Sequence, residues 1–228
     1  MYRNKFTKVK TAKGRKISST KWLQRQLNDP YTIQAKKDRY FSRAAYKLLE
    51  IDSKFHILGK DKIIIDLGSV PGSWVQVALK ALPKKIIAVD LLPMQPLEKV
   101  QFILGDFTNQ DTIKKILSTL EESSSSCLKT LSPFTKVDVI LSDMALNTSG
   151  HRDLDHLQII NLCEHAFKFA KEVLSKDGIL IMKIFQGGQE KLLIERLKKS
   201  FTQVKFFKPQ ASRKTSSEIF LVAIGFAS

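Results

Sequence analysis

Two cysteines in 228 residues are too few for a disulfide framework. Cys127 ends a serine run and Cys163 lies inside an apolar helical pattern, so they form no metal-ligand pair. A reducing compartment fits. Histidine is scarce as well, and His56, His151, His156 and His165 are scattered too widely to argue for a metal. No apolar run reaches eighteen residues, which excludes a transmembrane helix, and the polar N-terminus lacks a signal-peptide core. The expectation is a monomer without metal or membrane span, in a bacterial cytoplasm; a mitochondrial matrix is the alternative.

Acid is what the first 47 residues lack. They hold fourteen Lys and Arg against Asp29 and Asp38, a net of +12 out of +16 for the whole chain, so the remainder is nearly balanced at +4. The charge belongs to an arm, in which Lys5, Lys8, Lys10, Lys13, Arg15, Lys16, Lys21 and Arg25 are interleaved with Phe6 and Trp22. Such a segment can track a polyphosphate backbone. A solvated tail and a mitochondrial transit peptide are the competing readings, the second weakened by a shortage of arginine. The division expected is a basic RNA-binding extension over residues 1–40 and one α/β domain over 41–228, with a Ser-rich exposed loop at 121–135.

What is present begins with "IIIDLGSVPGSW", residues 63–74. Three isoleucines closed by Asp66 and Leu67 read as a strand buried on both faces. Gly68 to Gly72 allow a tight bend, and Pro71 suits the first turn of a following helix. "FSRAAYKLLEIDSKF" before it offers Ser42 as a helix cap. Strand-like runs recur at 86–90, 101–104, 137–142 and 179–184, separated by segments of helical period such as 154–174, which predicts a mostly parallel sheet. "FTQVKFFKP" and "SEIFLVAIGF" have no helix between them and should close the sheet as an antiparallel pair.

In an open α/β sheet ligands bind beyond the carboxyl ends of the strands. Asp90 closes the second strand, 22 residues after Gly68, where an acidic residue reaches ribose hydroxyls. Asp106 follows the third, placed to accept from an adenine amine with Phe107 near the ring. The turn lacks a full G-x-G-x-x-G, and with Asp66 in the loop region it suits a pyrophosphate poorly. S-adenosylmethionine, an adenosine without phosphate and with cationic sulfonium and ammonium groups, fits better. Asp143 follows "VDVILS", and Lys183 lies within "ILIMKIF", where an ammonium must be paired, neutralised or at work. Together at the cofactor edge they read as an active site.

The stretches "SRAAYKLLEI", "DLGSVPGSWVQ", "VDLLPMQPL", "GDF", "SDMALNTSG", "MKIFQG" and "KPQASRKTSSEIF" resemble the FtsJ/RrmJ (RlmE) family of S-adenosylmethionine-dependent ribosomal RNA 2'-O-methyltransferases. The likeness runs from about Trp22 to Phe226, apart from the serine loop. It implies a Rossmann-like α/β fold: a mostly parallel seven-stranded sheet with an antiparallel C-terminal strand and helices on both faces. It also implies a tetrad falling on Lys47, Asp143, Lys183 and Glu218, with Lys183 as proton acceptor, and cofactor contacts at Gly72, Trp74, Asp90, Asp106 and Asp143. The implied substrate is a uridine ribose of large-subunit ribosomal RNA, methylated on assembled subunits. Departures from the family pattern are Ser69, Val70 and Ser73 around the cofactor turn, Leu146 in place of a proline, and Ala211 in place of a serine. The first three add bulk around the cofactor, and neither of the last two touches the tetrad. A ribosome-assembly factor that binds RNA without needing catalysis is the rival reading, and the intact tetrad argues against it. A nicotinamide oxidoreductase is disfavoured by the incomplete glycine fingerprint.

Overall fold

A computed structural model of the chain describes residues 7–9, 14, 16–121, 136–144, 151–187 and 190–227. Several positions singled out above lie outside them: Lys5, Phe6, Lys10, Lys13 and Arg15 of the basic segment, Cys127 with the serine loop beyond Glu121, and Leu146.

Two helices, α1 (Ile17–Asn28) and α2 (Pro30–Lys37), lead to α3 (Ala45–Phe55). The basic residues at 16–37 therefore belong largely to helices. Asp29 separates the first two, its carboxylate accepting from Thr32 N at 3.1 Å as the cap of α2, with Pro30 in the first turn. The alternating part follows as β1 (Ile63–Leu67), α4 (Ser73–Leu79), β2 (Lys85–Asp90), β3 (Val100–Leu104), α5 (Gln110–Glu121), β4 (Val137–Ser142), α6 (Arg152–Val173), β5 (Leu174–Phe185), α7 (Lys191–Ser200), β6 (Phe201–Phe207) and β7 (Glu218–Phe226).

All seven strands form one sheet in the order β3-β2-β1-β4-β5-β7-β6. The order reverses at β1 and β4, which opens a crevice at their carboxyl ends. Both faces are covered because side chains alternate along each strand. In β1, Ile63, Ile65 and Leu67 join Ile116, Leu120, Ala166 and Leu193 of the helices on one side. Ile64 joins Leu48, Ile51 and Val75 on the other. The uninterrupted apolar run thus has its physical cause in two cores.

The last two strands close the sheet as the antiparallel pair expected, with β7 inserted between β5 and β6 and antiparallel to both. The crossover through α7 carries β6 two positions beyond β5, and β7 occupies the slot between them. Two expectations need correcting. Ser42 does not cap α3, which starts at Ala45 without a side-chain cap. Its hydroxyl instead accepts from Ala44 N at 3.2 Å and lies 2.7 Å from the Ser73 hydroxyl. Pro71 is not in the first turn of α4 either: Gly72, at φ +101°, precedes the helix, which begins only past that left-handed residue.

Candidate active site

The crevice holds a cavity of about 720 Å³ built by strand ends. Gly68, at φ +77°, turns the chain out of β1, and its N–H donates to Val89 O at 2.9 Å. A Cβ there would lie 2.5 Å from Met144 Cγ, so only glycine lets the turn pass the end of β4. Asp90 fixes the turn from the next strand. Its carboxylate accepts from Val70 N at 2.8 Å and from Leu92 N at 2.9 Å. Asp106 is held in turn by Thr108, whose N–H and hydroxyl donate to it at 2.9 and 2.7 Å. Asp90, Asp106 and Asp143 all line the cavity, with Phe107 beside them.

Gly72 and Trp74 are not among the lining residues; they stand behind the turn. A Cβ on Gly72 would meet Met94 Sδ at 2.9 Å and the Phe41 ring at 3.2 Å. The Trp74 indole is buried, donates to Ala44 O at 2.9 Å and packs on Phe220 with ring centroids 5.6 Å apart. That indole ties the start of α3 to β7.

Asp66 also needs correcting, since it is a strand residue and not part of the loop. It is 1% exposed, and its Oδ2 has no hydrogen-bond partner among the described residues. Burial pushes its carboxyl well above the usual range, and the charges of Asp143 and Asp90 add to the effect.

At the rim the sheet brings four charged side chains together. Lys183 pairs with Phe220 in the antiparallel register of β5 and β7, and Phe185 pairs with Glu218, which puts Lys183 and Glu218 on one face two residues apart. Lys47 reaches them from α3. Its ammonium lies 2.9 Å from Glu218 Oε2 and 3.4 Å from Asp143 Oδ2, over the Phe220 ring at 5.6 Å. The Lys183 ammonium, only 6% exposed as a residue, donates to the Asp143 main-chain carbonyl at 2.8 Å and stands 2.8 Å from its Oδ1. The result is a continuous chain from Lys183 through Asp143 and Lys47 to Glu218.

Electrostatics distinguishes the members. Burial by itself would lower the Lys47 ammonium, but Asp143 and Glu218 outweigh it and raise the group above its ordinary value. Burial would likewise raise the Asp143 carboxyl, and the ammonium groups of Lys183 and Lys47 overcome it, leaving Asp143 below the usual range. Both groups therefore keep their charge near neutral pH. The Cys163 thiol nearby is pushed up to about 12 by burial, so it supplies no thiolate nucleophile. Among the described residues no group of His, Cys, Asp and Glu is placed to hold a metal ion, and no helix is long and apolar enough to cross a membrane.

Some functional neighbours escaped the sequence reading. Gln158, Asn161 and His165 of α6 line the cavity. Their three- and four-residue spacing marks one helix face and could have revealed them. Ser212, buried, donates to Glu218 Oε1 at 2.7 Å. No local pattern flags that contact.

A doubly wound sheet with a glycine turn, acidic strand ends and a charged tetrad at its crevice defines a Rossmann-like α/β protein with a ligand site at the switch point of the sheet. Residues 40–226 match the FtsJ-like methyltransferase family, and the chain belongs to it. The protein named Ribosomal RNA large subunit methyltransferase E of Rickettsia bellii is 47% identical over 98% of this chain and 96% of its own length. Its namesake from Rickettsia felis is 46% identical over the same shares. The crystal structure of a ribosomal RNA methyltransferase from Plasmodium falciparum superposes with a TM-score of 0.70 at 35% identity, covering 82% of this chain and 98% of the other.

Proposed function

We propose that this chain transfers a methyl group from S-adenosylmethionine to the ribose 2'-hydroxyl of a uridine in 23S ribosomal RNA, on assembled large subunits in a bacterial cytoplasm. The observation that carries the proposal is the chain Lys183–Asp143–Lys47–Glu218 at the mouth of an acidic cavity. The names of the bacterial relatives support the choice of RNA. The cavity fits the cofactor on its own chemistry. It is large enough for a nucleoside, and Asp90, Asp106 and Asp143 oppose a cation where a pyrophosphate would be repelled.

When bound, S-adenosylmethionine supplies a methyl group already activated by its sulfonium. The protein must then remove a proton from a weakly acidic hydroxyl and hold it in line. Lys47 is a poor candidate for that proton, since two carboxylates raise its ammonium above the ordinary value. Lys183 has one carboxylate partner, and that partner is shared. Its Nζ is the group assigned to take the 2'-hydroxyl proton. Asp143 orients that amine through its carbonyl and carboxylate, while Lys47 and Glu218 hold Asp143 in place and bind the ribose edge. No covalent intermediate with the protein is needed.

The test is to incubate the purified protein with methyl-labelled S-adenosylmethionine and large subunits lacking ribose methylation, then map the labelled nucleotide. Label on a uridine 2'-oxygen of 23S RNA supports the proposal; label on a base, or none, overturns it.

A further inference from the structure

Glu218 is the first residue of β7, and the segment before it, 208–217, forms neither helix nor strand. Glu218 and Lys47 also line a second cavity, of about 460 Å³, whose wall carries Arg25, Arg43 and Arg213. A side chain with several rotatable bonds keeps one orientation at such a place only if other groups fix it.

Two residues outside the tetrad do so. The buried Ser212 hydroxyl donates to Glu218 Oε1 at 2.7 Å, which leaves Oε2 for the Lys47 ammonium at 2.9 Å. Each carboxylate oxygen thus has its own donor. Ser212 is placed in turn by Glu50 of α3. One oxygen of the Glu50 carboxylate accepts from the Gln210 N–H, and the other accepts from the Ala211 N–H at 2.9 Å. Arg43 donates to the Ala211 carbonyl, and the Ser212 N–H donates to Pro209 O at 3.0 Å. Ala211 is fully buried and enters this network through its main chain, so a residue without a hydroxyl suffices there.

Lys47 and Glu50 lie about one turn apart on α3, hence on one face. The first grips Glu218 directly; the second grips the segment that delivers Ser212 to it. We infer that Ser212 and Glu50 are positioning residues for methyl transfer. Glu50 seats Ser212, Ser212 fixes the Glu218 carboxylate, and Glu218 keeps the Lys47 ammonium shared with Asp143. Without the hydroxyl, Glu218 Oε1 loses its donor and the carboxylate turns to find another, so Lys47 loses the partner that balances Asp143. The effect reaches Lys183 through Glu218 and falls on the rate. The ribose is a small part of the contact with a large subunit, so binding is spared. The inference rests on the methyl-transfer reading above.

The experiment measures single-turnover methyl transfer at saturating large subunits lacking the modification. It compares wild type, Ser212→Ala, Glu50→Gln, Glu218→Ala and each of the first two combined with Glu218→Ala. Glu50→Gln breaks half of the clamp, because its amide presents a donor to a main-chain N–H. Each of these two single substitutions should lower the rate about tenfold, the loss of a hydrogen bond to a charged group. KM for the subunits and the calorimetric affinity for S-adenosylmethionine should stay within about twofold of wild type. In the Glu218→Ala background the same substitutions should change the rate by no more than about twofold, because the group they act on is gone. Should Ser212→Ala fail to fold, Ser212→Cys keeps the volume, weakens the donor and completes the same cycle. Rate losses that multiply with Glu218→Ala mark a general structural defect and overturn the inference, as do losses confined to KM or cofactor affinity. If wild type itself transfers no methyl to these subunits, the reaction and the positioning role fall together; active wild type with indifferent variants removes the positioning role alone.

Discussion

Two cavities meet at the tetrad, and they differ in sign. One is walled by Asp90, Asp106 and Asp143 at strand ends; the other by Arg25, Arg43 and Arg213 from one helix and two connections. The acidic one is made by the sheet itself, with Gly68 and Asp90 locking its floor through main-chain hydrogen bonds. The basic one is assembled from segments far apart in sequence, with Asp29, Arg43 and Arg213 brought together by tertiary packing. A cationic donor and a polyanionic acceptor need opposite surroundings, and the reacting groups must meet where these join. Lys47 bridges the seam, contacting Asp143 of the first cavity and Glu218 of the second.

The comparison breaks hardest at Lys183. Lys183→Ala should reduce methyl transfer by about 10²–10⁴, the range for loss of a positioned base, while both ligands still bind. A variant that turns over at a wild-type rate in a single-turnover assay removes the base.

Asp143→Asn tests the seam as a structural element. Removing one partner of a buried ionic group leaves two lysines facing a neutral amide and should cost about 3 kcal/mol in urea unfolding at neutral pH. Because the Asp143 carboxyl is lowered in the folded state, its contribution is present above the unfolded carboxylate value and is lost as pH falls through the folded value. The variant's stability should therefore be less sensitive to acid than that of wild type. Equal acid sensitivity would contradict the assignment.

Asp90→Ala sharpens the acidic side alone. It should weaken S-adenosylmethionine binding by roughly 1–3 kcal/mol and leave the salt dependence of RNA binding intact. Calorimetry giving an unchanged cofactor affinity in the folded variant would place Asp90 outside the binding contacts.

Asp66→Asn should have the smallest effect, of opposite sign to that of Asp143. Its carboxyl is raised in the folded state, so it contributes stability below the unfolded value that is lost as pH rises through the folded one. The asparagine variant should gain on wild type as pH climbs from acid to neutral. Parallel unfolding curves across that range would show that Asp66 is not held as the acid.

The two cavities were unequally legible. Ile63 to Leu67 announced a strand buried on two faces, and Asp90, Asp106 and Asp143 end strands whose apolar runs are short and sharply bounded. Local pattern suffices there, because strand ends and their loops are near neighbours in sequence. Arg43 and the Ala211 carbonyl are 168 residues apart, and nothing local pairs them. The density of lysine and arginine likewise hid α1 and α2, whose positions depend on packing and on the Asp29 cap. The insertion of β7 escaped notice because strand order is set by crossovers, not by the pattern within a strand. Asp66 was misplaced because a carboxylate is usually a surface group, and only its burial shows otherwise.

Lys183→Arg tests the central claim most directly. Arginine keeps a positive charge beside Asp143 but cannot give up its proton near neutral pH, so it separates proton removal from electrostatic support. Methyl transfer to unmethylated large subunits should fall as far as in Lys183→Ala, with S-adenosylmethionine and subunit binding near wild type. Turnover by the arginine variant within a few-fold of wild type would contradict the account, showing that a charge at this position suffices and that the proton leaves by another route.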